Sequence, residues 1–290
     1  MLLQQLVNGL TLGAVYTLVA LGFSLVMGVL GVLNLAVAEL FMLGGYVGLS
    51  LILADYPVPV AIAGAAAVTA LLGVVVEQVA YQPLRNAPPI APLLSTLGFS
   101  VIFQTAATNI WGSDPLLMPP DLLDARYRLG PVSVGQAQLL VMATAVVLVV
   151  ALALLMRHTR FGYGLRAIAE NRDVARLLGV PAPLVTSGAF ALSGALAGVA
   201  GVQIGLHYSA ITPYVGVEVG LKAIAVMVVG GTTNIWGVLL AGPLLGVLEV
   251  MTVALGGAAF RDMTVYGLMI LTLLLRPQGL LGRAGGAQRV

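Results

Sequence analysis

The sequence predicts an all-α fold: a polytopic transmembrane helix bundle of eight to ten spans that includes broken or half helices. Of its 290 residues, 60% are hydrophobic and only 8% are charged, whereas soluble proteins carry about 25% charged residues. Apolar runs of about 20 residues, the length that a helix needs to cross a bilayer, recur along the chain. These runs are continuous rather than alternating, which argues against a β-barrel. The composition therefore excludes a soluble enzyme and a disordered chain.

The apolar segments predict the order of the membrane helices. They lie near residues 4–27, 33–54, 58–80, 90–111, 136–156, 184–206, 217–231, 235–256 and 260–275. The segment near 217–231 is short enough to be a half-helix. Only the apolar stretch 28–32 separates the first two segments, which predicts a helix break buried inside the protein, where irregular backbone is tolerated. The polar loops are too short to fold alone, so residues 1–290 are expected to form a single transmembrane domain.

The positions of the basic residues predict which loops are cytoplasmic. Five arginines lie in the polar stretch 157–181, three more, Arg276, Arg283 and Arg289, follow the last span, and Arg85 follows the third span. The opposite side carries three arginines that four aspartates balance. We therefore expect the 157–181 loop and the C-terminus to be cytoplasmic, whereas the side of the N-terminus depends on the number of spans.

Several kinds of chemistry are disfavoured by residue types that the sequence lacks. The chain has no cysteine and only two histidines, which excludes disulfides, thiol nucleophiles and iron–sulfur clusters. An intramembrane enzyme would need a nucleophile and base or metal ligands within its spans. We therefore predict no catalytic residue, no metal site and no cofactor in this chain. The net charge of +2 with no basic block predicts no binding to nucleic acid.

The polar loop 157–181 is longer than the two to eight residues that usually connect helices in a bundle. Its pattern predicts two short helices, at 164–170 and 172–178, with Asn171 as the N-cap of the second and a stop at Gly179. Such a pair could dock in a partner's groove with its apolar side down. It could equally lie on the membrane surface, with its arginines on anionic lipid.

Polar residues inside the spans are the candidates for a transport path. An ionisable group in a membrane helix is costly and usually faces the bundle interior or a cavity. Glu39 fits this description, and Asn34 precedes it either as a second path residue or as a helix cap. Asn234 follows a glycine-rich turn and would cap the next span, which contains Glu249. We take these four residues as candidate substrate-path residues.

Glu218 and Lys222 are the other charged residues in a late span. Their i,i+4 spacing is in the favourable order, and pairing removes most of the cost of placing either charge in a membrane. We therefore predict a structural ion pair. The glycine-rich stretch 229–237 lacks the G-K-[ST] ending of a phosphate-binding loop, so we predict no nucleotide site there.

Five stretches of the chain carry distinctive motifs, at 33–46, 81–98, 160–180, 230–237 and 276–282. Together they resemble the permeases of bacterial branched-chain amino acid ABC importers, of the subunit type with an N-F-A-H-G-E-like segment. Residues 33–46 resemble that segment, and 81–98 resemble the Y-x-P-L-R … x-T-x-G stretch. Residues 160–180 are similar to the cytoplasmic loop, T-R-x-G-x-x-x-R-A-x-A-E-[ND]-x-x-x-A-x-L-L-G-[VI]. The turn 230–237 and the R-P-Q-G-L-L-G stretch at 276–282 complete the resemblance, which extends over nearly the whole chain.

The resemblance implies a division of labour in a bacterial cytoplasmic (inner) membrane. A second, related permease would form the other half of the path, and two cytoplasmic ATPase subunits would bind ATP and Mg²⁺. A periplasmic or lipid-anchored protein would deliver the substrate, and alternating access would move it inward. The 157–181 loop would be the coupling segment, which contacts an ATPase through Arg160, Gly162, Arg166, Ala169, Glu170, Asn171, Ala175, Leu178 and Gly179.

One departure from the family pattern leaves the substrate open. Asn34, Ala36 and Glu39 match the N-F-A-H-G-E segment, but Leu35 and the pair 37–38 do not. The alternatives are an ABC permease for urea or short amides, and a secondary transporter or channel for a small polar solute. A secondary transporter would couple to ions through its membrane carboxylates, but it has no use for a long arginine-rich loop.

Overall fold

The computed structural model describes residues 2–84, 87–88, 90–119, 125–129 and 132–282. This part of the chain contains eleven α-helices and four short strands. The helices are α1 (Leu2–Leu30), α2 (Ala36–Leu53), α3 (Val58–Val76), α4 (Ile90–Trp111), α5 (Gln136–His158), α6 (Arg160–Glu170), α7 (Arg172–Leu177), α8 (Ala182–Tyr208), α9 (Val215–Gly230), α10 (Ile235–Gly256) and α11 (Arg261–Leu275). The strands are β1 (Leu116–Leu117), β2 (Arg126–Leu129), β3 (Val132–Gly135) and β4 (Ala210–Ile211). Arg85, Asp121, Asp124, Arg283 and Arg289, which entered the orientation prediction, lie outside the described residues.

Eight helices of the described chain are long and apolar enough to cross a membrane. They are α1, α2, α3 with its continuation to Leu84, α4, α5, α8, α10, and α11 with the short turn before it. With 16 residues, α9 is shorter than a full span, as the sequence predicts. The prediction of a polytopic all-α bundle is thus confirmed, and the chain is a multi-pass membrane protein.

The centre of the bundle is formed by α1, α2 and α8, whose side chains are mostly buried, whereas α4, α5 and α11 are mostly exposed. Small residues let the central helices approach closely. Gly44 of α2 faces Gly198 of α8, and a Cβ atom at Gly201 would overlap the carbonyl of Phe41. A similar close contact joins α1 to α10.

The bundle has two ends, which we name by their landmarks. The loop end carries α6 and α7, where Tyr81 accepts a hydrogen bond from Arg172 (Nη1 to Oη, 3.0 Å). The hairpin end carries the antiparallel pair β2–β3 and the pair β1–β4. Gln4 bonds to Ser133 of β3 there (Nε2 to O, 2.9 Å), so α1 begins at the hairpin end.

The break between the first two helices lies at an exposed turn, not a buried one, and slightly later than the sequence predicts: Gly31 is exposed, and Val32 and Leu33 are half-buried. The first helix continues through Gly28 to Leu30, because Val29 still packs in the core. Gly31 then adopts a positive φ of 69°, which glycine allows at no steric cost. A Cβ at Gly22 would contact Val37, so α2 begins about 12 Å inside the end of α1 at 1.5 Å per residue. Residues 31–35 therefore turn back into the bundle.

Candidate functional site

A buried carboxylate lies at the contact between α2 and α4. Glu39, in the first turn of α2, has a side chain that is 1% exposed. Its Oε1 accepts a hydrogen bond from Ser100 Oγ of α4 at 3.1 Å. Its Oε2 has no hydrogen-bond partner among the described residues, and in that part of the chain Glu39 forms no ion pair. The charge of this carboxylate therefore has no counter-ion within the described chain.

Asn34 lies five residues before Glu39 and is also buried, with 2% of its surface exposed. Its Oδ1 accepts a hydrogen bond from the N–H of Ala36 at 3.2 Å, so the side chain caps the start of α2. Its Nδ2 bonds to no group in the described part of the chain. We call Asn34 Nδ2 and Glu39 Oε2 the two open atoms: one is an amide donor and the other a carboxyl oxygen.

The sequence interpretation missed the side of this site that α4 provides. Thr96, Ser100 and Gln104 follow each other every four residues, so they form one polar stripe. Thr96 Oγ1 accepts from the N–H of Leu35 at 3.3 Å, and Gln104 Nε2 lies 3.5 Å from the carbonyl of Pro213. The signal was visible as polar residues at helical spacing in an apolar segment, but their partners are distant in sequence.

Lys222 lies at the centre of a second buried cluster, formed by charged residues of α9, α10 and α11. Its ammonium is 1% exposed and lies 2.9 Å from Glu249 Oε1 and 3.0 Å from Asp262 Oδ1. The predicted partner Glu218 lies 3.6 Å away. Glu218 and Asp262 are 57% and 61% exposed, so only Lys222 and Glu249 place a charge in the interior.

Arg261 completes the cluster and ties it to two further helices. Its Nε bonds to Glu249 Oε1, and its Nη2 donates to the hydroxyl of Tyr208 in α8 at 2.6 Å. Tyr16 of α1 donates to Glu249 Oε1 at 3.2 Å. Four helices therefore meet at Glu249, whose charge faces two cations, and α8 joins them through Arg261. We call these residues the charge network.

A cavity of about 460 Å³ lies beside the charge network at the hairpin end. Glu249 and Arg261 line it together with Gln5 and Asn8 of α1, Gln138 of α5 and apolar residues of α10. The Oε2 atom of Glu249 has no hydrogen-bond partner within the described chain, but the adjoining cavity has room for water. The sequence prediction that Glu249 lines the substrate path stays a prediction.

Asn234 lies at the loop end, in the glycine-rich turn between α9 and α10. Its Oδ1 accepts from the N–H groups of Trp236 and Gly237, at 3.1 and 3.4 Å, which confirms that it caps the helix. Its Nδ2 donates to the carbonyl of Leu281 at 2.5 Å. Both ends of this amide are therefore occupied by the protein, and its role in a substrate path stays a prediction.

The 157–181 loop folds into two helices, as predicted, with one difference in length. Asn171 Oδ1 accepts from the N–H groups of Asp173 and Val174, at 3.0 and 3.1 Å, which confirms the predicted cap of α7. The first helix begins at Arg160 rather than 164, because Thr159 caps it by accepting from the N–H of Gly162.

The two helices divide the predicted coupling residues between an inner and an outer face. Gly162 and Ala175 are buried against the bundle. The other seven are exposed: Arg160, Arg166, Ala169, Glu170, Asn171, Leu178 and Gly179. Leu177 and Leu178 are 88% and 77% exposed, an apolar pair at the outer end of α7.

These features define the chain as a polytopic membrane protein. Its α6–α7 segment presents exposed apolar side chains at one end of the bundle. Residues 5–274 match the model of the family described as "Branched-chain amino acid transport system / permease component". The chain belongs to this family.

Named relatives agree with this assignment. The high-affinity branched-chain amino acid transport permease BraD of Pseudomonas aeruginosa is 36% identical over 97% of this chain and 96% of its own length. The corresponding permease LivH of Escherichia coli is 33% identical over the same shares. A probable LivH of Methanocaldococcus jannaschii is 31% identical over 91% of this chain and 88% of its own. No solved structure matches the chain.

Proposed function

We propose that this chain is a permease subunit of an ATP-binding-cassette importer that moves the branched-chain amino acids leucine, isoleucine and valine inward. Membership of the permease family and near full-length similarity to BraD and LivH support this function. Separate ATPase subunits would supply ATP, Mg²⁺ and the energy, and no catalytic step is assigned to this chain. A second permease would provide the other half of the path, and a binding protein would deliver the substrate.

We place the chain in the bacterial inner membrane with its loop end and C-terminus in the cytoplasm. Five arginines of the 157–181 loop lie at the loop end, and Arg276 follows α11 at the same end, where Leu280 bonds to the backbone of Val229. Basic residues favour the cytoplasmic side. This orientation places the charge network at the outer side.

The exposed leucines of α7 support docking of an ATPase most directly. Leu177 and Leu178 leave their side chains in solvent at the end of a capped helix, and apolar anchors of this kind fill pockets in partner proteins. The α6–α7 segment joins two membrane-spanning helices, α5 and α8. Movement of a docked ATPase would therefore be transmitted to both helices.

Partner identification tests this function. The tagged chain is extracted from native membranes in mild detergent, and co-purifying proteins are identified by mass spectrometry. We expect a second permease and ATPase subunits. A stable chain without an ATPase would contradict the proposal and favour a secondary transporter.

A substitution on α7 tests the docking surface separately. We expect Leu177→Asp to reduce ATPase recovery at least tenfold, because it places a charge in an apolar contact. The side chain is exposed, so the permease itself should remain folded, and Tyr163→Ala on the exposed face of α6 provides a second surface variant for comparison. Full ATPase recovery with Leu177→Asp would remove α7 from the interface.

A further inference from the structure

We propose that the two open atoms at the α2–α4 contact recognise the zwitterion of an α-amino acid. Asn34 Nδ2 would donate to the substrate carboxylate, and Glu39 Oε2 would accept from its ammonium group. This inference rests on the proposed import function and names the chemistry by which its path selects a substrate.

Buried polar atoms are normally satisfied by the protein or by water. Six buried side-chain atoms lack a partner within the described residues, and the two open atoms are the pair among them that belongs to one short segment, the start of α2. One is an amide donor and the other is a carboxyl oxygen. A buried carboxylate without a counter-ion is destabilising, and a substrate ammonium group supplies the missing cation.

The two residues are spaced as an α-amino acid requires. Thr96 contacts Leu35, the residue after Asn34, and Ser100 contacts Glu39, and residues four apart on a helix are about 6 Å apart along its axis. The amino and carboxyl groups of one amino acid, each with a hydrogen bond of about 2.9 Å, span a distance of this order. The apolar side chain of the substrate would then point away from the two polar groups.

The direction of α2 fixes which substrate group lies at which end. Its N-terminus lies inside the bundle beside Asn34, and a helix N-terminus carries partial positive charge. Interrupted membrane helices with their N-termini at a substrate carboxylate are a known transporter arrangement. The carboxylate therefore belongs at Asn34 and the ammonium group at Glu39.

The site is closed in this structure, and α4 is the helix whose movement would open it. Asn34 and Glu39 are almost fully buried, whereas α4 is mostly exposed. The polar contacts from its stripe to α2 and to Pro213 are single hydrogen bonds of 3.1, 3.3 and 3.5 Å. A Cβ at Gly216 of α9 would lie 2.9 Å from Glu39 Oε2, so separation of α4 would open the site at the junction of α2, α4 and α9.

The proposed recognition separates amino acids from neutral amides. Urea can accept from Asn34, but it cannot neutralise Glu39. A site that leaves a buried polar group unpaired discriminates strongly against the wrong ligand. The departure from the N-F-A-H-G-E segment at 35, 37 and 38 leaves both recognising residues in place.

Ligand-dependent thermal unfolding tests the inference. The detergent-extracted chain, with the subunits that co-purify but without a binding protein, is heated with increasing L-leucine, leucinol, 4-methylpentanoate or urea. Leucinol lacks the carboxylate, and 4-methylpentanoate lacks the ammonium group. Because a ligand of the native state raises its unfolding temperature, we expect leucine to act at a concentration at least tenfold lower than the other three.

Two nearly isosteric variants assign the two ends of the ligand. Glu39→Gln keeps an acceptor for Ser100 but removes the charge. The affinity for leucine should therefore fall at least tenfold, and the affinity for 4-methylpentanoate should not. Asn34→Asp keeps the acceptor that caps α2 but removes the donor. The affinity for leucine should therefore fall, and the affinity for leucinol should not. Glu77→Gln is the control, because Glu77 is also buried and accepts from a serine, Ser187 Oγ, at 2.8 Å.

Each of several outcomes would overturn the inference. The first is that leucine does not stabilise the protein, and the second is that leucine and either analogue stabilise it equally. The third is that Glu39→Gln reduces the stabilisation by all ligands to the same extent. A response to urea but not to leucine would also overturn it, while co-purifying ATPase subunits would still support the import function. An equal loss of leucine binding in Glu77→Gln would show that Glu39 has no special role.

Discussion

The α2–α4 contact and the charge network each bury a glutamate in the membrane region, but they treat its charge differently. Glu249 faces two cations and a tyrosine hydroxyl. Glu39 receives one hydrogen bond from Ser100 and has no cation beside it in the described chain. The charge of Glu249 is balanced by cations of the folded protein, whereas that of Glu39 is balanced only when a ligand supplies a positive charge.

The difference separates residues that hold helices together from residues that are available to a substrate. A completed ion pair in the interior contributes little compared with an apolar contact, but removal of one partner is strongly destabilising. The charge network connects five helices, so its loss should damage the fold. Glu39 connects α2 to α4 through one hydrogen bond, so loss of its charge should affect the ligand more than the fold.

The largest effect should come from Lys222→Met. This change leaves Glu249 with only Arg261 as a cation, and breaking a buried pair costs about 3–5 kcal/mol. We expect the unfolding temperature of the detergent-extracted protein to fall by several degrees. Lys222→Arg retains the charge, so its unfolding temperature should fall less. An unchanged unfolding temperature in Lys222→Met would show that the network is not a structural element.

Glu39→Gln should change transport rather than stability. We expect uptake of radiolabelled leucine by cells carrying the transporter to fall at least tenfold, equivalent to about 1.4 kcal/mol. The unfolding temperature without ligand should change little, because the amide oxygen still accepts from Ser100. Wild-type uptake in this variant would remove Glu39 from the substrate path.

Asn34 and Asn234, which both cap helices, allow the same comparison, with a smaller expected change in the free energy of unfolding. Asn234 uses its amide nitrogen to hold the carbonyl of Leu281, and Asn34 leaves its own nitrogen open. Asn234→Ser should therefore destabilise the protein by about 1 kcal/mol, the usual value of one hydrogen bond, whereas Asn34→Ser, which also keeps an acceptor for the helix cap, loses no hydrogen bond and should destabilise it less. Thermal unfolding without ligand checks both. Equal losses would mean that the open nitrogen of Asn34 has a partner in the protein.

The smallest effect should follow Glu218→Gln at the exposed edge of the charge network. The Glu218 side chain is 57% exposed and lies 3.6 Å from Lys222. Exposed ion pairs contribute about 0–1 kcal/mol, so the unfolding temperature should stay within about two degrees of the wild type. A loss as large as that of Lys222→Met would show that the i,i+4 pair, rather than Glu249, stabilises Lys222.

Features that depend on neighbouring residues could be predicted from the sequence. The spans follow from the length of the apolar runs, and the caps at Asn171 and Asn234 follow from the preference of asparagine for helix starts. The helix at Arg160 starts earlier than predicted because two glycines weaken the helical pattern. Those glycines are needed for contact, since a Cβ at Gly162 would overlap Met156.

Contacts between distant residues could not be predicted in the same way. Glu249 and Arg261 were each visible as charged residues, but nothing in their spacing brings them to Lys222 on a different helix. Ser100 reaches Glu39 from a helix 61 residues further along the chain. The candidate site was therefore recognised from one side only, and the open atoms emerged from the packing of α4.

A matched pair of substitutions, Glu39→Gln and Glu249→Gln, tests the central distinction most directly. Both remove one buried carboxylate charge and keep the size of the side chain. Thermal unfolding of each variant, with and without leucine, gives its stability and its response to ligand in one measurement. We predict that Glu249→Gln unfolds several degrees below the wild type yet keeps its leucine response, and that Glu39→Gln keeps its stability yet loses that response. The same pattern in both variants, or the reverse assignment, would contradict the account.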